Sequence, residues 1–153
     1  MNRKERIITR TCNIVGAVLI LVLILCHFMP YWSTDGDTAS VWGYLGLKHN
    51  HKTLTAFFDE KIGGCSVNSA VAMPIVVIVL GVVGIYCGLK NIHERWSGVF
   101  PAACGVVGLL GYLTQPVYSL GNVFWLHILL CVALIAVAAV QLVPWIKGLL
   151  KKE

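Results

Sequence analysis

IVGAVLILVLILCHFM, residues 14–29, is an unbroken run without a formal charge. It sits in a longer segment, 11–30, that holds no Asp, Glu, Lys or Arg and carries eleven Leu, Ile, Val or Phe residues. About 20 apolar residues cover the roughly 30 Å hydrocarbon core of a bilayer. At roughly −0.3 to −0.6 kcal/mol for each of the eleven, the segment gains about 3–6 kcal/mol on insertion. Three further segments, 70–89, 99–118 and 122–146, are equally free of charged residues. Each is predicted to be helical, because lipid offers no partner for backbone N–H and C=O groups. One such run also fits a buried helix of a soluble protein. Four in 153 residues predict an all-α membrane protein, a single domain over 1–153 built as a four-helix transmembrane bundle.

Composition agrees. The chain is 58% hydrophobic and 12% charged, with mean hydropathy +0.79. Soluble domains carry about 25% charged residues. Half that share leaves too few to coat a water-facing surface, which excludes an ordinary soluble enzyme and a disordered chain. The net charge of +5 is not a nucleic-acid footprint, since the basic residues flank apolar runs and do not share one face. The bilayer is therefore the expected partner, and nucleic acid is not. The first apolar run exceeds the 7–15 residues usual in a signal peptide and no small-x-small site follows promptly, so it reads as a retained anchor.

Basic residues set the expected orientation. Arg3, Lys4, Arg6, Arg10, Lys90, Arg95, Lys147, Lys151 and Lys152 lie on one side of the four spans. Lys48, Lys52 and Lys61 lie on the other, beside Asp35, Asp37, Asp59 and Glu60. Nine against three places both termini in the cytoplasm of a multi-pass protein of the cell membrane. Trp96, Phe100 and Trp145 would mark the inner interface, and Phe28, Tyr31, Trp32, Tyr118 and Trp125 the outer one.

The one sizeable loop is 31–69. At about 39 residues it cannot bury a core alone. TASVWGYLGL (38–47) and TLTAFF (53–58) read as strands, with 48–52 turning between them and Gly63-Gly64 breaking the chain before the second span. A small extracellular β-hairpin cap between helices 1 and 2 is expected, with Trp32, Trp42 and Tyr44 as its contact residues.

Helices in lipid associate by close packing, which favours small residues. Gly81, Gly84 and Gly88 form one stripe in the second span. Gly98, Gly105, Gly108 and Gly111 form another in the third, and Ala133, Ala136 and Ala139 a weaker one in the fourth. The stripes suit packing of spans two and three within the chain. Gly84 and Gly88 also suit a contact between two chains. Pro74, Pro101 and Pro144 are expected near span ends, where a missing N–H costs little.

No catalytic motif is present: there is no GxSxG, HExxH, P-loop or strand-led GxGxxG. The chain is not expected to be an enzyme, and no cofactor or metal is implied. Ionisable residues inside a membrane usually mark a pathway. Here they are His27 and His127, both near the outer ends of their helices, with Gln115, Tyr112 and Asn122 at similar depth. They form either a small polar site or local hydrogen bonds below the headgroups. Gln141 reads as an interhelical hydrogen bond. His49 and His51, with Asp35, Asp37 or Asp59, fit a metal pattern no better than a solvated turn. Cys12, Cys26, Cys87, Cys104 and Cys131 lie in or beside the spans, where small packing residues are the ordinary reading. Cys12 and Cys87 sit where a eukaryotic chain is palmitoylated. Cys65 is alone in the loop and reaches Cys26 only if the loop folds back.

The layout resembles the claudin-like tetraspan superfamily: four spans, inside termini, a large first outer loop and a short second one. Pro30-Tyr31-Trp32 and Trp42-Gly43-Tyr44-Leu45 carry the similarity in the loop. The family's Gly-Leu-Trp triplet is absent, and a single loop cysteine excludes its loop disulfide. The resemblance implies a β-hairpin cap and lateral assembly. The expected role is therefore non-enzymatic, through contacts of the outer loop and helix faces with another membrane protein or a second copy. A small channel or transporter component is the alternative. A membrane enzyme on lipophilic substrates, similar to the short four-helix glutathione-using family, lacks the arginines and carboxylates it needs.

Overall fold

The computed structural model describes residues 3–29, 32–34, 37–39, 67–90, 97–113 and 122–150. Four helices dominate: α1 (Arg3–Cys26), α2 (Val67–Leu89), α3 (Val99–Leu113) and α4 (Asn122–Leu150). Two short strands lie between α1 and α2, β1 (Trp32–Thr34) and β2 (Asp37–Ala39). By length and composition, two helical stretches, Arg3–Cys26 and Val123–Val143, are long and apolar enough to cross a membrane. Pro74–Leu89 and Val99–Gly111 are shorter apolar helices.

Consecutive helices pack on one another, and α4 closes the ring against α1. Pairs of touching residues give the directions. Asn13 meets Gly88 while Ile20 meets Gly81, so α1 and α2 are antiparallel. Phe100 lies at Gly84 and Cys104 at Val77, which reverses α3 on α2. Gly98 faces Gln141 and Gly105 faces Cys131, which reverses α4 on α3. The diagonal is closed where Gly16 of α1 faces Pro101 of α3. The arrangement is an up-down-up-down bundle, the simplest outcome of short connections.

Between the helices lies an apolar core of Ile20, Leu23, Val77, Cys104, Leu130, Cys131 and Leu134. Glycine admits the closest approaches. A Cβ on Gly105 would lie 2.8 Å from the Cys131 carbonyl oxygen and 2.9 Å from Ile135 Cγ1. A Cβ on Gly81 would lie 2.6 Å from Ile20 Cγ2, a side-chain methyl with some room to turn. Gly84 lies against Phe100 and Ile20, and Gly88 against Asn13. These two are thus engaged by helices of their own chain. Gly108 and Gly111 are also buried.

The helices do not coincide with the expected apolar spans. The first helix starts at Arg3, not at residue 11, because Arg and Lys are good helix formers and the apolar run supplies the packing that propagates the helix toward them. It ends at Cys26, with residues 27–29 in tight turns. α4 runs on to Leu150. Pro74 lies well inside α2 and not near its end. There it leaves Ala70 without its i+4 amide, a tolerated loss where neighbouring groups adjust. The third apolar segment is helical to Leu113, and 114–120, with Gln115, fall outside the described residues.

The sheet pairs Trp32 with Ala39, Ser33 with Thr38 and Thr34 with Asp37, antiparallel. Asp35-Gly36 stands between the strands, a dipeptide that favours two-residue hairpins. This pairing is not among those expected from the sequence. The strands at 38–47 and 53–58, with Trp42 and Tyr44, lie outside the described residues apart from Thr38 and Ala39.

Substituting Gly105→Ala forces a methyl onto backbone, which has nowhere to go. It is expected to lower stability by about 1–3 kcal/mol, read as a fall in the midpoint of thermal unfolding. Gly88→Ala, whose nearest neighbour would be at 3.7 Å, is expected to leave the midpoint within about 2 °C.

Candidate functional site

The buried polar side chains among the described residues, Thr9, Asn13, His27, Ser97, His127 and Gln141, fall in two layers at opposite ends of the bundle. The first layer joins all four helical segments. The Asn13 amide of α1 donates from Nδ2 to the Gly88 carbonyl of α2 over 3.3 Å. Gln141 of α4 donates from Nε2 to Asn13 Oδ1 over 2.8 Å and to the hydroxyl oxygen of Ser97, at the entrance to α3. Asn13 is 5% exposed and Gln141 7%. Gln141 Oε1 is buried and accepts no hydrogen bond from the described residues. Thr9, one turn before Asn13, is buried beside this layer.

The second layer is a histidine pair. His27 and His127 are both fully buried, with ring centroids 4.8 Å apart and planes at 85°. His27 Nδ1 lies 2.7 Å from the Leu23 carbonyl oxygen, and His127 Nδ1 lies 2.7 Å from that of Val123. A carbonyl only accepts, so each ring carries its proton on Nδ1 and, when neutral, a lone pair on Nε2.

The His27 bond has a local reason. The last four carbonyls of a helix lack intrahelical partners. At the end of α1, Leu23 is served by the His27 ring. The Ile24, Leu25 and Cys26 carbonyls accept from the amides of His27, Phe28 and Met29 at 3.0–3.1 Å. Every terminal carbonyl of α1 is therefore bonded without recourse to water.

Asn13 and His27 are 14 residues apart on α1, as are His127 and Gln141 on α4. At 1.5 Å per residue the layers are about 21 Å apart. Two leucines without solvent exposure, Leu23 and Leu134, and the thiols of Cys104 and Cys131 fill the space between them. Cys104 Sγ points to the Val77 carbonyl at 3.6 Å, a weak donor contact that ties α3 to α2. Cys12, Cys26, Cys87, Cys104 and Cys131 are free thiols; Cys12 and Cys87 are half-buried and the other three buried.

Of the sequence-derived candidates, the structure brings His27 and His127 together and joins Gln141 to α1 and to the start of α3. Asn13 and Ser97 were not singled out from the sequence, although Asn13 is an amide at the margin of an uncharged run, which is a usable signal. Gln115, Trp42, Tyr44, His49, His51 and Cys65 lie outside the described residues, and Trp32 opens β1. Among the described residues no group of three or more His, Cys, Asp or Glu side chains is placed to hold a metal.

No family model, no curated protein and no solved structure matches the chain.

Replacing Gln141 by Leu leaves the Asn13 and Ser97 oxygens without their shared donor. A double-mutant cycle between Gln141→Leu and Asn13→Leu is expected to give a coupling of about 0.5–1.5 kcal/mol, the usual net contribution of an intramolecular hydrogen bond. Additive losses would mean that the two side chains do not act together.

Proposed function

We propose that the chain is a four-span integral membrane protein of non-enzymatic type. Both termini lie on the cytoplasmic side, and it works through contacts of its outer loop and exposed helix faces with other membrane proteins. The observation that carries this reading is the distribution of polarity. Twenty-eight large apolar side chains are exposed among the described residues, including Val18 at 55%, Val79 at 57% and Leu129 at 65%. Asn13, His27, His127 and Gln141 are buried. Covering an apolar side chain is worth roughly 1.5–3 kcal/mol. Twenty-eight of them, each roughly half exposed, leave unclaimed an amount larger than the roughly 5–15 kcal/mol by which folded chains are stable. In a bilayer the same surface is at home.

Charge supports the same placement. The charged side chains of the described helices are Arg3, Lys4, Glu5, Arg6, Arg10 and Lys147, with Lys90 just after α2. Given the helix directions, all seven belong to one end. From Arg10 to Met29 is 19 residues, about 28 Å of helix if the terminal turns keep that rise, which fits one crossing. The layer of Asn13 and Gln141 then lies under the cytoplasmic headgroups, and the histidine pair under the outer ones.

The filled core favours contact over conduction, because Ile20, Leu23, Val77 and Leu134 block the axis between the polar layers. Gly81, Gly84, Gly88 and Gly105 are engaged within the chain. A second copy or another protein would therefore meet the exposed faces or the loop of residues 40–66. The claudin-like layout is consistent with lateral assembly of this kind.

Crosslinking in native membranes, followed by pull-down, tests the reading. A discrete partner or a dimer is expected, and deletion of residues 40–66 is expected to remove a loop-bound partner while the chain stays in alkaline-washed membranes. Recovery of the chain alone, with ion flux through vesicles containing only the pure protein, would contradict it and favour a channel component.

A further inference from the structure

We propose that the basic end of the bundle is a binding surface for anionic phospholipid, with headgroups on the arginines of α1 and acyl chains along the same helix face. The proposal rests on the membrane reading and goes beyond it by naming a lipid class and its position.

The exposed face of α1 changes character along its length. Arg3 and Arg10 stand seven residues apart, and Ile14, Leu21 and Leu25 continue at helical spacing. All five are exposed. Residues at such spacings share one face of a helix. The face is therefore cationic for its first two turns and apolar beyond. From Arg10 to Leu21 is 11 residues, about 16 Å, close to half of the roughly 30 Å hydrocarbon core.

The same pattern recurs on two other helices. On α2, exposed Val79, Val83 and Tyr86 lead to exposed Lys90. On α4, Val140 and Val143 lead to Lys147, again all exposed. Three apolar stripes thus end in a basic residue at one end of the bundle.

The occupant follows from this continuity. Nucleic acid or an acidic peptide would satisfy the cations but not the adjoining apolar stripe. A molecule with an anionic head and a hydrocarbon tail satisfies both. The start of α1 also needs an anion. Four basic residues stand in its first eight positions, against Glu5 alone, where the helix macrodipole already places positive charge. Phosphate headgroups relieve both sources of repulsion, and a fork of guanidinium N–H groups matches phosphate geometry. Thr9, Asn13 and Gln141, being buried, take no part.

The test uses the full chain reconstituted in vesicles holding equal phosphatidylglycerol and phosphatidylcholine of identical acyl chains. Retained lipid is counted by native mass spectrometry. Phosphatidylglycerol is expected to be retained at least about fivefold over phosphatidylcholine, the factor that corresponds to about 1 kcal/mol per basic residue at an anionic surface. The R3Q/R10Q chain is expected to lose most of that preference. The R3K/R10K chain is expected to keep a measurable preference, which separates loss of charge from loss of fold. Equal retention of the two lipids by the parent chain, or an unchanged preference in R3Q/R10Q, would overturn the proposal. Displacement by millimolar glycerol phosphate would overturn the part assigned to the acyl chain. A chain stripped from the vesicles by alkaline carbonate would remove the membrane reading and this proposal with it, whereas firm insertion without a lipid preference would remove this proposal alone.

Discussion

Burying a polar group is costly unless it is hydrogen-bonded, and the described helices meet around that constraint. Asn13, Ser97, Gln141 and the Gly88 carbonyl form one hydrogen-bonded layer that reaches every helical segment. The terminal carbonyls of α1 are closed by the His27 ring and three tight-turn amides. A helix end finished in this way needs no solvent. The outward surface can then be apolar over most of its length, and the close helix contacts at Gly81 and Gly105 become the means of packing.

The two polar layers fix the register of the bundle in a way that its apolar core cannot. Leucine, isoleucine and valine pack acceptably against many neighbours, and volume-conserving exchanges among them are usually tolerated. A hydrogen bond from Gln141 to Asn13 exists at one axial offset of α4 on α1. The histidine pair, 14 residues away on both helices, repeats the same offset. A slide of one helical turn, about 5.4 Å, would break both layers at once.

Much of this architecture was legible in the sequence, for identifiable reasons. Uncharged runs of helical length locate the helices. Glycines three and four residues apart foretell where helices come close. His27 and His127 are polar residues at matching depth in neighbouring antiparallel segments. Other features were less legible. The start of α1 at Arg3 was not readable from the span, because hydropathy marks where charge begins and says nothing of where helix begins. Asn13 and Ser97 acquire meaning only when four segments are brought to one level, which no single segment encodes. The β1–β2 pairing was not read from the sequence, because the longer aromatic and β-branched run at 38–47 outweighed the Asp35-Gly36 turn signal. The polar groups with hydrogen bonds described above are occupied in holding the helices together.

The most direct test of the account asks what surrounds the helices. Nitroxide labels at Val18, Val79 and Leu129, introduced singly into the reconstituted chain, report collisions with oxygen, which concentrates in lipid, and with an aqueous nickel complex. High oxygen and low nickel accessibility at all three positions, with the reverse at Arg3, is the predicted result. Nickel accessibility at Val18, Val79 and Leu129 equal to that at Arg3 would contradict the account.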